Sequence, residues 1–135
     1  MQFDLTVEGV PVAKARPRLS RYGTYTPKKT VIHEQRIRDC WEIRHSNMVP
    51  SDKPLRVDIT FYMSIPKSTP IGRRIQMLEK DNIHTMKPDI DNLIKTVFDA
   101  LNGVAYEDDK QISDVHTYKR YSEQPRTEIT ITEKW

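Results

Sequence analysis

Apolar and polar residues alternate with the period of a strand at two places. Phe3, Leu5 and Val7 stand against Gln2, Asp4, Thr6 and Glu8. Leu55, Val57, Ile59, Phe61, Met63 and Ile65 stand against Arg56, Asp58, Thr60, Tyr62 and Ser64, and Pro66 closes the run. A period of two puts one set on a buried face. Two more strands are predicted over 112–121 and 126–133, joined at Ser122-Glu123-Gln124-Pro125 as an antiparallel hairpin with Ile129 and Ile131 turned inward. Between 90 and 102 the period changes. Ile90, Leu93, Ile94, Val97, Phe98 and Leu101 recur at helical spacing and form one broad apolar face. At about 100° per residue, Asp91, Lys95, Asp99 and Asn102 fall in a narrow polar stripe on the other side. Asn102-Gly103 is a stop signal, because glycine takes the left-handed conformation after a helix without steric cost.

The remaining segments are less regular. Thr26 as N-cap with Pro27 at the first helical position begins a helix that carries Ile37, Cys40 and Trp41 to about His45. A short helix is expected in the polar 67–84 region, with Ile71, Ile75 and Leu78 on one face and Arg73, Arg74 and Lys80 pointing elsewhere. From Pro11 to Thr30 the chain carries Arg16-Pro17-Arg18 and Arg21-Tyr22-Gly23-Thr24-Tyr25, too broken for regular structure, and reads as a long surface loop. The order β-α-β-α-β-β predicts an α+β fold, a mixed β-sheet with helices on one face, in one domain over residues 1–135.

Composition narrows the class. The single Cys40 excludes an intramolecular disulfide and a multi-cysteine zinc site, and it fits a reducing cytoplasm. MQFDLTVEG has neither the basic start nor the apolar run of a targeting segment, and no stretch approaches the roughly 18 apolar residues of a membrane span. A soluble, cytoplasmic protein with no membrane partner is expected. The net charge of +3 says little, but its distribution says more. Lys14, Arg16, Arg18, Arg21, Lys28 and Lys29 fall between Pro11 and Thr30 with no acid among them, and Arg73, Arg74 and Lys87 form a second basic group. Such clusters suit DNA phosphates. Tyr22 and Tyr25, interleaved with the first group, either stack on unpaired bases or pack the loop down.

The candidate chemistry lies between Lys87 and Gln111. Asp89, Asp91, Asp108 and Asp109 offer only carboxylate oxygens, and no histidine stands at ligand spacing with them, so the donor set favours Mg²⁺, with Mn²⁺ as substitute, over zinc. A water activated by such an ion is a competent nucleophile on a phosphodiester. Lys95, one turn beyond Asp91, would place a positive charge near the scissile phosphate. The two acidic groups meet only if the chain after Gly103 folds back along the helix. Residue chemistry alone serves a structural reading equally well: Asp89 as a cap, Asp91 with Lys95 as an i, i+4 pair, and Asp108-Asp109 as a turn. A helix N-terminus also disfavours a cation.

KPDIDNLIKTVFDALNG followed by YEDDKQI resembles the signature of the RusA family of Holliday junction resolvases: D-x-D-N-x-x-K, a helix containing D-A-L, then D-D-x-Q, all between Lys87 and Ile112. Lys14, Arg16, Arg18 and the Tyr25-Thr26-Pro27 turn are similar to those of prophage relatives. The resemblance implies a RusA-like fold and a Mg²⁺-dependent endonuclease. It further implies a homodimer that makes paired symmetric nicks in four-way junction DNA during recombination and repair, with no small-molecule organic cofactor. By position, Asp89, Asp91 and Asp109 correspond to the family's metal-binding acids, Lys95 to its essential lysine, and Asp108 to an assisting neighbour. Two other readings use the same residues. Pro88-Asp89 with Asp108-Asp109-Lys110 fits a loose PD…(D/E)xK nuclease motif in which Lys110 is the lysine, though that motif normally sits on adjacent strands and a helix intervenes here. A non-catalytic DNA-binding recombination accessory protein would keep the acids for folding alone.

Overall fold

The computed structural model describes residues 1–79 and 82–135, the side chain of Arg18 excepted. Its centre is a four-stranded mixed sheet. The strands are β1 (Gln2–Glu8), β4 (Leu55–Met63), β5 (Ile112–Tyr121) and β6 (Arg126–Glu133), in the order β1-β6-β4-β5. β6 runs antiparallel to both β1 and β4, while β5 runs parallel to β4. The period-two alternation is realised most fully in β4, whose Leu55, Val57, Ile59, Phe61 and Met63 are all buried. Register extends those residues into rows across the sheet: Leu5, Ile129 and Ile59 form one, and Phe3, Ile131 and Val57 the next. Opposed apolar pairs of this kind are the unit of sheet stabilisation.

Two long helices cover this face. α1 (Lys28–Arg44) buries Thr30, His33, Ile37 and Trp41, and α3 (Ile90–Leu101) buries Leu93, Thr96, Val97, Ala100 and Leu101. They pack against each other, α1 against β1 as well and α3 against β5. The chain is therefore the expected α+β fold with its helices on one face.

Several expectations need correction. β5 and β6 do not form a hairpin, because β4 lies between them. The Ser122–Pro125 connection steps across the end of β4 instead, with the Ser122 amide donating to the Met63 carbonyl at 2.9 Å. The stretch read as an irregular loop contains a small antiparallel hairpin, β2 (Arg18–Ser20) and β3 (Gly23–Tyr25), turned by Gly23 at φ +116°. α1 begins one residue later than predicted. Pro27 occupies the N-cap position and its carbonyl, not the Thr26 side chain, accepts from the Thr30 and Val31 amides at 3.1 and 3.3 Å. The short helix exists as α2 (Ile71–Glu79), but it is rotated: Met77 is buried while Ile71 and Ile75 are exposed. Arg74 fixes that rotation through hydrogen bonds to Glu123 Oε1 and the Pro66 carbonyl at 3.0 and 3.4 Å. Lys80, expected on its polar side, lies outside the described residues.

Candidate active site

α3 carries the first acids. The chain reaches it through a cis Lys87–Pro88 peptide, and Asp89 sits at the N-cap with extended backbone and no side-chain capping bond. Its carboxylate is therefore not consumed by the helix end. Asp91 is exposed in the first turn, where its Oδ1 accepts from the Asn92 amide at 3.0 Å. Lys95 is likewise exposed one turn further on. The apolar face of α3 holds this stripe still, since Leu93 and Val97 point into the core. The segment that delivers Asp89 is tied from below: Lys119 on β5 donates through Nζ to the Met86 and Pro88 carbonyls, both at 2.7 Å.

The predicted stop is realised, with Asn102 as C-cap and Gly103 at φ +78°. The chain then folds back along the end of α3. Tyr106 is buried and its hydroxyl donates to the Phe98 carbonyl at 2.8 Å, while the Ser51 main chain pairs with Ala105 and Glu107 at 3.0 and 3.1 Å. Burial, with Asp109, Asp99 and Asp108 nearby, pushes the tyrosine pKa up, so the hydroxyl remains a donor. Asp108 caps a single 3-10 turn, Asp109–Gln111, by accepting from the Lys110 amide at 2.9 Å. Gln111 completes the capping box with its Oε1 on the Asp108 amide at 2.8 Å, and its Nε2 donates to the Ser51 and Lys53 carbonyls at 2.8 and 2.9 Å. Partial burial raises the Asp109 pKa, and the Asp108 carboxylate and the Asp99 charge raise it further. Asp108 moves the other way, held down chiefly by the Lys110 amide.

Asp99, whose charge reaches Asp109, is itself paired with Lys14. The Lys14 amide donates to the Asn92 carbonyl at 2.8 Å, and its Nζ lies 2.6 Å from Glu34 Oε1 and 3.2 Å from Asp99 Oδ2. Burial opposes that charge, but the hydrogen bonds to Glu34 and Asp99 outweigh it and hold the lysine pKa above its ordinary value. Lys14 thus ties the basic segment to both long helices, and its ammonium faces carboxylates.

The acids therefore form two groups, one at the start of α3 and one beside its later turns. Asp89 and Asp91 stand at its N-terminus, while Asp108 and Asp109 stand by Asp99, eight residues beyond Asp91 and so about 12 Å along the axis. The convergence of Asp89, Asp91 and Asp109 on one spot is not found. Among the described residues no three acids, histidines or cysteines are placed to enclose an ion. Of the predicted phosphate-binding cations, Arg16, Arg21, Lys28, Lys29, Arg73 and Lys87 make no ion pair among the described residues, and most of them are exposed. Arg74 is engaged by Glu123. Lys110 lies exposed in the 3-10 turn, not on a strand. The sequence pattern assigns no role to Lys119. Alternation along β5 places Thr117, Lys119 and Tyr121 on one side, but nothing in the sequence puts the 82–88 segment over them.

A carboxylate-and-lysine stripe on a firmly seated helix, in a chain with exposed cations that make no ion pair among the described residues, is an arrangement suited to phosphodiester chemistry. Residues 8–132 match the family described as endodeoxyribonuclease RusA, and the chain belongs to that family. It is also similar to a protein of Bacillus subtilis (strain 168) named only as uncharacterized protein YqaN, at 37% identity over 134 residues that cover 95% of this chain and 94% of the relative.

Proposed function

We propose that this chain is a Mg²⁺-dependent, structure-selective endodeoxyribonuclease that resolves Holliday junctions by paired symmetric nicks and works as a homodimer. The observation that carries the reading is the Asp89, Asp91, Lys95 stripe, which makes no ion pair among the described residues and lies within the segment that bears the family signature. The donor chemistry fits a hard divalent ion: Mg²⁺ is commonly held by one or two carboxylates, with substrate phosphate and water completing its shell. Asp89 and Asp91 at the head of α3 would hold it, or Asp109 with Asp108 beside it, since the two groups stand apart among the described residues, and Mn²⁺ would substitute. Partial burial first, and then the Asp108 and Asp99 carboxylates, raise the Asp109 pKa, and a nearby cation would offset the charge contribution. When bound, the ion supplies Lewis-acid polarisation of the phosphate and a more acidic water.

The protein's own groups do the rest. Lys95 places an ammonium where charge develops on the phosphoryl oxygens. Arg16, Arg21, Lys28, Lys29, Arg73 and Lys87 bind flanking phosphates. A two-fold pair of chains presents two such sites to the two-fold symmetry of a junction, whereas one chain leaves a strand uncut.

Incubation with a synthetic four-way junction and Mg²⁺ tests this reading, with symmetric nicks as the expected product. If no nicks appear while a control resolvase cuts the same substrate, the nuclease reading fails and a binding-only accessory role replaces it. Separate Lys95→Ala and Lys110→Ala variants assign the lysine. Loss of cleavage with junction binding retained in the Lys110 variant alone would transfer the role to Lys110 and the PD…(D/E)xK arrangement.

A further inference from the structure

Beside Asp89 and Asp91 lies an open cleft of about 590 Å³ between the 82–88 segment and β5. The segment pairs with the end of β5, its His84 amide donating to the Lys119 carbonyl at 3.2 Å and its Asn82 carbonyl accepting from the Tyr121 amide at 2.6 Å. It then peels away toward α3 and opens the cleft. Two polar side chains line this space without satisfying their hydrogen-bonding capacity among the described residues: His84, only 7% exposed, whose Nδ1 meets nothing beyond its own backbone, and Thr117, whose Oγ1 is buried and unpartnered. A buried polar atom left unpaired costs about 1–3 kcal/mol, so two in one cleft point to a ligand that supplies the missing bonds.

We propose that this cleft receives one unstacked DNA base beside the phosphate to be cut, with His84 and Thr117 hydrogen-bonding its polar edge. The inference rests on the DNA-cleaving reading above and adds to it the residues that select where the cut falls. The chemistry of the cleft favours a base over a second phosphate. Asp89 and Asp91 at its rim repel an anion, the Lys119 ammonium is consumed by the Met86 and Pro88 carbonyls, and Arg120 donates to the Lys119 carbonyl at 2.9 Å and lies over the Tyr118 ring, which leaves Lys87 at the edge as the cation for the neighbouring phosphate. Met86, Ile90 and Tyr118 supply exposed apolar and aromatic walls, a surface suited to the face of a flat heterocycle. Imidazole and hydroxyl groups can each donate or accept a hydrogen bond, which matches the mixed edge of a base. Burial, and then Lys119, lower the His84 pKa, so the ring is neutral at pH 7. Tyr121 packs on that ring at 4.8 Å between centroids and fixes its place.

The test uses four-way junctions carrying 2-aminopurine at successive positions around the branch point, bound without divalent ion so that no cleavage is needed. The wild-type protein should raise the fluorescence at one position. Thr117→Val, which keeps the shape and removes the hydroxyl, and His84→Ala should each lower the occupancy behind that rise about fivefold, the effect of losing one ordinary hydrogen bond. Junction affinity should hold within about threefold. With Mg²⁺ and a junction whose branch point can migrate, Thr117→Val should spread the cuts over more steps than wild type uses. If His84→Ala does not fold, Thr117→Val decides alone. Unchanged fluorescence and unchanged cut positions would overturn the proposal, and that result also covers a cleft filled only by water. A protein that neither binds nor cuts junctions instead sinks the nuclease reading.

Discussion

Lys14 shows how far a residue's neighbours can redirect it. On sequence it belongs with the cations that meet DNA, yet its ammonium lies between Glu34 of α1 and Asp99 of α3 and only 19% of the side chain is exposed. Lys14→Met strands two carboxylates, and hydrogen bonds between charged partners are worth roughly 1.5–3 kcal/mol. A loss of about 2 kcal/mol in urea unfolding is expected, with Lys14→Arg recovering part of it; no loss would mean that the pair is too solvated to matter. Asp91 should behave in the opposite way. It is exposed and its carboxylate accepts from the adjacent amide, a bond that asparagine can also accept, so Asp91→Asn should change stability by less than about 0.5 kcal/mol. The same substitution should lower junction cleavage by at least about 10²-fold. A variant that is markedly less stable and still cuts would return Asp91 to a purely structural role.

At the scale of elements, what is legible in the sequence follows from how local each signal is. The limits of α3 and most of its apolar face can be read because period and stop signal lie within one continuous stretch, although Ile90, predicted on that face, is exposed, and β5 and β6 lie where predicted for the same reason. Their partners cannot be read. Alternation states which face of a strand is buried but not which strand lies beside it, so nearness in sequence suggests a hairpin that β4, lying between the two, overturns. The candidate site divides in the same way. Asp89, Asp91, Lys95 and the Asp108–Asp109 pair stand out by spacing and type, whereas the Lys119 clamp and the His84–Thr117 cleft arise from the 82–88 segment crossing an edge strand. The 3-10 turn offers a direct check of element-level design. Gln111 alone bonds the Asp108 amide and two carbonyls of the 51–53 connector. Gln111→Ala should therefore cost about 1–3 kcal/mol and speed hydrogen exchange at the 108–111 amides, while Gln111→Glu should recover only the bond to the Asp108 amide.

For the whole molecule, pH and salt separate the charges that fold the chain from those that bind DNA. His33 on the buried face of α1 and His84 beside β5 both have pKa values lowered by burial from the ordinary 6.5, with Arg36 and Lys29 adding to the effect at His33 and Lys119 at His84. The unfolded chain then binds more protons than the folded one once pH falls below about 6.5, so stability is full above that value and declines as pH falls through it. Between pH 6.5 and 5, above the range in which Asp108 and Asp114 titrate, urea midpoints should drop, and His33→Gln should flatten the decline. Salt acts on the other set. Removing one cation that neutralises a phosphate should reduce the slope of log affinity against log salt by about 0.9 for duplex DNA. Alanine at Lys28, Lys29, Arg16 or Lys87, which make no ion pair among the described residues, should flatten that slope by roughly this amount wherever the side chain meets a phosphate. Alanine at Arg74, already bonded to Glu123, should leave it unchanged, and so should Lys14→Met under conditions where that variant remains folded. A slope that responds to Arg74 and Lys14 but not to the unpaired cations would mean that binding DNA breaks the internal pairs and that the cationic surface lies elsewhere.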